Sequence, residues 1–516
     1  LPFDPQPNNI KDFFETGNQS RYNLAFSSAS DMGSVRVSMT HQKTNASLPN
    51  VNSNQNTLNI NSSLNISKRV RADVALSYIN SHKLNSQNLG DSERSIGKNL
   101  TYNWSRSYKL NLEKDNYAFA DGSIRPAGIG RPGIDAEAGR PGNYRGMGRT
   151  NAFFWRIWNE NQTRDRNRLL GSIALTVDIT DWLSLRTSLG IDFYNDEYET
   201  KNAPQDVNGL LGARYNHTLA KNNINDHTWI LTANKDITDD IGMTAFVGGE
   251  QYKRSYYSIF GQNGNRNFVN PFLYSFRNIA YPTNINSNWV QNQALARESK
   301  LEKEVNSLFG SVSLDYKEWL YLDITGRTDW SSTLPKQNQR FFYPSVTTSF
   351  VFTDAFDMDT DILSFGKVRV AWAKAGNDPN PYQLQPTYSA GSFDSQPTAT
   401  VNATIPAVEL KSESSTSLEF GVDMRFLNGR AGLDFTYYKI DATNQILPGP
   451  LPRSSGNSAF RFNTGHLQNK GIELLLTGTP VQTTDFSWEV AFNMNINRNK
   501  ILKLDDEGLT ETYRIG

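Results

Sequence analysis

The sequence predicts an all-β fold, an antiparallel transmembrane β-barrel with short turns at one rim and long loops at the other. Three observations predict it. Segment after segment alternates apolar and polar residues with period two, as a half-buried strand does and a helix does not. The connections between segments alternate strictly between tight turns and long polar excursions, the pattern of barrels with short periplasmic turns and long extracellular loops. Aromatic residues gather where segments end, at Trp182, Trp319, Tyr321, Trp330, Phe341, Phe342 and Tyr343, as amphipathic rings do where hydrocarbon meets water.

About sixteen strands emerge in chain order, near 20–30, 33–42, 56–66, 69–82, 166–179, 183–195, 226–236, 241–259, 305–316, 319–330, 341–353, 365–374, 414–426, 430–442, 461–479 and 484–498. In the sixth, Leu183, Leu185, Thr187, Leu189, Ile191 and Phe193 alternate with Ser184, Arg186, Ser188, Gly190 and Asp192. The thirteenth sets Leu418, Phe420, Val422 and Met424 against Glu419, Gly421, Asp423 and Arg425, and the last sets Trp488, Val490, Phe492 and Met494 against Glu489, Ala491 and Asn493. Asp31-Met32-Gly33, Thr180-Asp181-Trp182, Thr238-Asp239-Asp240, Lys317-Glu318 and Leu427-Asn428-Gly429 have the turn chemistry that strand reversal favours. Long connections run near 83–165, 196–225, 260–304 and 375–413, and a short amphipathic helix is expected over 354–364.

A soluble sandwich or propeller would also alternate, because one sheet face packs on a core. Against it, the polar positions carry full charges: Arg186, Asp192, Asp323, Arg327, Glu419, Asp423 and Arg425, with Asp434. These seven plus Asp434 suit a wet lumen. Composition narrows the rest. Lys+Arg and Asp+Glu are both 52, so no net charge draws the chain to nucleic acid. With no cysteine, disulfide scaffolds, thiolate metal sites and thiol nucleophiles are excluded. Mean hydropathy is −0.57, and no run approaches the 18 or so apolar residues of a spanning helix. A chain starting at Leu1 with no charged-then-apolar leader is expected to be processed or a fragment.

No catalytic or cofactor constellation stands out. His41, His82, His217, His227 and His466 show no metal-ligand spacing and are expected at the rim or in the lumen. Asp357, Asp359 and Asp361 open like a calcium loop, yet Ile362 and Val368 stand where Gly and Glu are needed. Nucleophile elbows, phosphate loops and dinucleotide fingerprints are lacking, so the chain is not expected to be an enzyme. Aromatic clusters in the long connections give candidate ligand-binding residues Trp104, Phe154, Trp155, Trp158 and Tyr257, whose rings could stack on sugars or peptide side chains or pack the loops themselves.

Several stretches carry a resemblance. Gly326-Arg327-Thr328-Asp329-Trp330-Ser331-Ser332-Thr333-Leu334, followed by Arg340-Phe341-Phe342-Tyr343-Pro344-Ser345-Val346, resembles the SusC-like (SusC/RagA) family of TonB-dependent outer-membrane transporters. Asp12-Phe13-Phe14-Glu15-Thr16-Gly17, the stretch 151–168, Ala373-Lys374-Ala375-Gly376-Asn377, Tyr437-Tyr438-Lys439 and Asn469-Lys470-Gly471-Ile472-Glu473 follow in the family's order. Trp330 replaces the family's Gly, and Phe153 its Pro.

The resemblance implies a 22-strand barrel of which residues 1–516 supply a partial domain, with the plug ahead of Leu1 and about six strands after Gly516. It further implies active import of oligosaccharides or oligopeptides across the outer membrane of a Gram-negative bacterium. The implied partners are a SusD-like surface lipoprotein as lid, TonB with ExbB and ExbD acting on the plug, the protein's own plug domain and outer-membrane lipid. No cofactor is implied. Arg186, Asp192, Asp323, Arg327, Glu419, Asp423 and Arg425 would then face lumen and plug. A passive porin, since sixteen strands is an even number that can close, and a surface adhesin remain as alternatives. The adhesin would require a repeat of fixed length, which is absent.

Overall fold

The computed structural model describes residues 5–85, 157–202, 206–207, 210–211, 214–262, 273–276, 295–358, 362–393 and 396–503. Twenty-one strands are present among them: β1 Asn18–Ser30, β2 Gly33–Asn45, β3 Asn52–Ser67, β4 Val70–Leu84, β5 Glu160–Asp178, β6 Leu183–Asn202, β7 Asp206–Val207, β8 Leu210–Leu211, β9 Arg214–Thr238, β10 Ile241–Gln262 and β11 Leu295–Tyr316. The remainder are β12 Leu320–Ser331, β13 Arg340–Val351, β14 Leu363–Asn377, β15 Tyr388–Phe393, β16 Gln396–Val401, β17 Thr404–Ile405, β18 Glu413–Phe426, β19 Ala431–Pro450, β20 Ala459–Gln482 and β21 Ser487–Lys503.

Sixteen of these form one meander in which each strand pairs antiparallel with the next, β1 to β6, β9 to β14, then β18 to β21. The sixteen strands predicted are these sixteen. Among the described residues β1 and β21 pair on one edge only, so the sheet does not close on itself as a passive porin of sixteen strands would require. Short hairpins β7–β8 and β15–β16 and a two-residue parallel pairing of β17 with β20 decorate the long connections.

The two faces of the sheet differ completely. In β6 the odd positions include Leu189 and Phe193 and the even ones Arg186 and Asp192, and the register carries each parity onto a matching parity of the neighbouring strand. One face thus collects large apolar side chains that nothing among the described residues covers: Leu24 is 79% exposed, Leu189 58%, Phe342 54% and Ile324 48%. An uncovered apolar belt on this scale is stable only against an apolar solvent. Among the described residues the buried apolar side chains are few, and the larger ones, such as Leu334 and Leu410, lie at the ends of strands and under loops.

At the short-turn rim, Asp31-Met32 reverses β1 into β2, and Gly33 opens β2 with φ +144°. A Cβ there would stand 2.1 Å from the Ser63 carbonyl oxygen of β3. Gly33→Ala is therefore expected to cost about 1–3 kcal/mol, read as a lower unfolding midpoint of the detergent-solubilised protein. Neighbouring turns are tied together: the Lys317 amide donates to the Asp240 carbonyl at 2.8 Å, and the Asn234 amide to that of Trp182 at 2.8 Å. Trp319 packs edge-on against Tyr316 and Phe350, at 5.1 and 5.6 Å between ring centroids.

Two expectations need correction. The predicted helix over 354–364 is a single turn, Phe352–Ala355, because Asp357 takes the left-handed conformation at φ 49° and ends it. Strands on the long-loop side reach well beyond their predicted ends: β9 begins at Arg214 rather than 226, β11 at Leu295 rather than 305, and β19 runs to Pro450. Beyond the apolar belt both faces are wet and alternation disappears, while the backbone ladder continues.

Candidate functional site: the polar face of the sheet

Following the register from β6 to β18 puts Arg186, Asp192, Asp323, Arg327, Glu419, Asp423 and Arg425 on one face. Arg186 lies opposite Ile230 of β9, which lies opposite Gly248 of β10, which lies opposite Phe309 of β11, which lies opposite Arg327 of β12. Beyond it Tyr343 and Ser345 of β13 lead, with Ser349, to Arg369 of β14 and Gly421 of β18. The polar face is therefore continuous across strands that the sequence separates by hundreds of residues.

Its charges fall into three sectors. On β5 and β6, Arg164, Arg166 and Arg168 stand at period two; Arg164 and Arg166 both donate to Asp196, at 2.5 and 2.6 Å, and Arg168 grips Asp192 with two hydrogen bonds of 2.7 and 2.6 Å. Arg186 reaches Asp73 of β4 at 3.2 Å. A second sector lies on β10 to β12. Arg327 donates to Glu250 at 2.5 Å, to Asp329 at 2.7 Å and to the Ser307 hydroxyl at 2.7 Å, and its guanidinium lies 5.4 Å from the Phe309 ring. Asp226 of β9 is within electrostatic reach of both Glu250 and Arg327. Asp323 accepts from Ser313 at 2.5 Å. On β14, β18 and β19, Arg369 holds Asp434 at 2.9 Å and Thr436 at 2.6 Å, Lys367 stands 4.0 Å from Asp423, and Arg425 lies over the Phe365 ring at 5.1 Å. Glu419 is exposed on this face.

The stretches around 326–334 and 373–377 meet in space. Asp378, which follows the second of them, accepts from Lys303 at 2.6 Å and from Thr333 at 3.0 Å, and Ser331 also donates to it. Ser331 and Thr333 are 1% and 3% exposed, so this cage is the best-sequestered polar cluster described. The 332–339 loop packs on the segment before β18, where the Asn338 amide donates to the carbonyls of Glu409 and Leu410 at 3.1 and 3.2 Å.

The aromatic candidates fare differently. Trp104, Phe154 and Trp155 lie outside the described residues; Trp158 is half-buried in a helical turn ahead of β5. Tyr257, grouped with the loop aromatics although it falls inside the strand predicted near 241–259, sits within β10 on the face of the apolar belt, opposite Lys221 and Lys300. A small aromatic core does form under the loops, where Tyr215 contacts Phe276 and Tyr274 at 5.0 and 6.3 Å. Burial and the Glu160 carboxylate push the Tyr274 phenol up to about 12.

The register also places all five histidines on the outward face, none in the lumen. Cross-strand neighbours give His82 a partner in Asp165 at 2.6 Å, His217 one in Glu197 at 2.9 Å, and His466 one in Asp441 at 3.0 Å. His217, Glu197 and Glu199 are close enough to hold an ion. Their atoms are otherwise engaged, Glu199 by Lys201 at 2.6 Å and Tyr215 at 2.7 Å. Sequence spacing missed these groupings because the partners sit on different strands. Arg168, Glu250, Asp329 and Asp378 were missed too, although the period-two run Arg164, Arg166, Arg168 carried a signal.

Comparison with known proteins converges on one fold. A family model described as TonB dependent receptor-like, beta-barrel, matches residues 189–513. TonB-dependent receptor P3 of Formosa agariphila is 33% identical over 210 residues, 40% of this chain and 21% of that protein. TonB-dependent receptor SusC of Bacteroides thetaiotaomicron is 28% identical over 209 residues, 38% of this chain and 21% of that protein. Among solved structures, that of the RagAB peptide transporter superposes with a TM-score of 0.78 at 18% identity, covering 98% of this chain and 53% of that one. The chain thus spans about half the length of the solved transporter chain, and its alignments about a fifth of these two curated relatives.

Proposed function

The chain belongs to the TonB-dependent receptor-like β-barrel family, and on that premise we propose that it forms the wall of an energised outer-membrane importer of SusC type. Residues 1–516 are the greater part of the barrel domain, completed by further strands and a plug from the same protein. The cargo is an oligosaccharide, with oligopeptides the second class, held beneath a SusD-like lipoprotein lid and released inward when TonB, driven by ExbB and ExbD, displaces the plug.

One observation carries this reading: a continuous, ion-paired polar face lies opposite an uncovered apolar belt over sixteen consecutive strands. A wall of that kind spans hydrocarbon with every backbone group paired along the sheet. It also presents fixed charges to a wet interior. There Arg186, Asp192, Asp323, Arg327, Glu419, Asp423 and Arg425 dock the plug by hydrogen bonds and ion pairs and line the path that its movement opens. The peptide class has support from a structural neighbour described as a peptide transporter; the oligosaccharide class follows from the resemblance to the SusC-like family.

The test is uptake of labelled oligosaccharides and oligopeptides by cells producing the full-length protein, with and without TonB. The expected result is oligosaccharide accumulation that disappears in the strain lacking TonB. Flux that persists without TonB would establish a passive porin instead, and TonB-dependent accumulation of peptides alone would reassign the cargo.

A further inference from the structure

Among the described residues one group of three metal-ligating side chains converges: Glu197 and Glu199 of β6 with His217 of β9, one ligand atom of each lying within 4.8 Å of the others. Period two puts the glutamates side by side on the outward face, and the register sets His217 directly opposite Glu199 and one row from Glu197. The other histidines form no such group among the described residues. His82 meets Asp165 at 2.6 Å; His466 meets Asp441, which Lys439 and Gln468 also approach to 2.9 Å; His41 faces the Asn56 side chain at 2.8 Å and His227 the Thr187 hydroxyl at 3.2 Å. The position is interior to the sheet: Glu199 pairs with Thr163 of β5 and with His217, and His217 with Gly261 of β10, so both strands have their full complement of neighbours. The His217 and Glu199 side chains are 21% and 22% exposed, that of Glu197 51%.

The contacts these side chains already make leave room for an ion, because an ionised carboxylate offers about four lone-pair sites. Glu199 uses one on the Tyr215 hydroxyl at 2.7 Å and one on the Lys201 ammonium at 2.6 Å. Tyr215 is itself packed against Phe276, so it orients the carboxylate as hydrogen-bond donors behind a metal ligand do. In a tetrahedral site with bonds of about 2.0–2.1 Å, neighbouring ligand atoms stand roughly 3.3 Å apart. That spacing falls between the 2.9 Å separating His217 Nε2 from Glu197 Oε1 and the 4.8 Å that bounds the group, so side-chain rotation closes the three onto an ion. Asp165 also lies directly opposite Glu197, and like charges so placed destabilise a sheet, a repulsion that a dication relieves.

We propose that Glu197, Glu199 and His217 bind a divalent transition-metal ion of the zinc type, with His217 ligating through Nε2 and keeping its ring proton on Nδ1. Imidazole beside carboxylates selects this class over magnesium and calcium, which take oxygen ligands. Three protein ligands leave a fourth position for water. Lys201 is the ion's competitor for Glu199. Because β6 ends at Asn202 and β9 begins at Arg214, the ion clamps the base of the connection between them. Through Glu199 and Tyr215 it also braces the aromatic contact to Phe276, in the connection between β10 and β11.

The experiment strips the untagged full-length protein in detergent with EDTA and titrates zinc in competition with a fluorescent chelator, folding of each variant being scored by the gel shift between heated and unheated samples. Wild type should take up zinc that the variant Glu197→Gln with His217→Gln does not. Lys201→Met, which removes the competing cation, should tighten binding about tenfold, the effect of an ammonium a few ångströms from a dication in a water-like dielectric. Tyr215→Phe should weaken it about tenfold by freeing the Glu199 carboxylate. The control Asp441→Asn with His466→Gln, which removes a histidine beside a single carboxylate, should leave zinc uptake unchanged. Equal uptake by wild type and the Glu197/His217 variant overturns the site. So does a Lys201→Met protein that binds zinc no more tightly than wild type, a result that holds even if the double variant fails to fold. An equal loss in the control overturns the specificity of the site, and displacement of zinc by magnesium at equal concentration overturns the transition metal in favour of a hard cation.

Discussion

Placing an arginine at Ile324 should destabilise the membrane-inserted protein by about 2–4 kcal/mol, the cost of a cation near the middle of the hydrocarbon on a barrel's lipid face. Ile324 is 48% exposed and lies in register between Val312 of β11 and Val346 of β13, within the apolar belt. Its neighbour Thr325 points to the other face, where it shares a 2.5 Å hydrogen bond with Ser345. Thr325→Arg should cost less than about 1 kcal/mol, because the added charge meets water. Urea unfolding of both variants in lipid vesicles measures the pair. Equal costs at the two positions, or a larger one at Thr325, would mean that the apolar face is not the lipid face.

Removing the guanidinium at position 327 should have the second large effect. Arg327 is the cation shared by Glu250 and Asp329, with Asp226 nearby. Arg327→Ala leaves these carboxylates facing one another around Ser307, which is 8% exposed. Breaking a fully buried pair costs about 3–5 kcal/mol; with the Arg327 side chain 37% exposed, water screens part of that, and about 2 kcal/mol is expected. Adding Glu250→Gln should recover part of the loss, because it removes one of the uncompensated charges, and a double-mutant cycle reads the coupling. Thermal midpoints in detergent provide the measurement. Additive costs with no recovery would show that Arg327 acts through packing on Phe309 rather than through its ion pairs.

Much of the fold was legible because a strand's side chains alternate and the two solvents outside this sheet differ so strongly. Leu183 to Phe193 by odd numbers and Arg186 with Asp192 by even ones already contain both faces of β6. The turns were legible for a similar reason: Asp31-Met32-Gly33 and Leu427-Asn428-Gly429 have backbones that tolerate positive φ, as Leu427, Asn428 and Gly429 show at 53°, 54° and 85°. Where the environment stops differing between faces, the signal stops with it. The upper halves of β9 and β11 are polar on both sides, so nothing in their order of residues separates them from loop.

The candidate site was legible only one strand at a time. Each charged residue announced the face it would occupy, because that depends on its parity within its own strand and on the contrast between water and hydrocarbon. Its partner did not, since a pair such as Arg327 and Glu250 is made by the register of three strands, and Lys303, Ser331, Thr333 and Asp378 meet only when separate hairpins align. The histidines show the difference most clearly. Along the chain none of them stands at metal-ligand spacing from a carboxylate, yet the sheet sets His82, His217 and His466 each beside one on the outer surface. The sequence by itself determined which residues meet lipid and which meet water, through local periodicity. Only the tertiary structure decided which charges neutralise one another, because that is fixed by backbone pairing between distant strands.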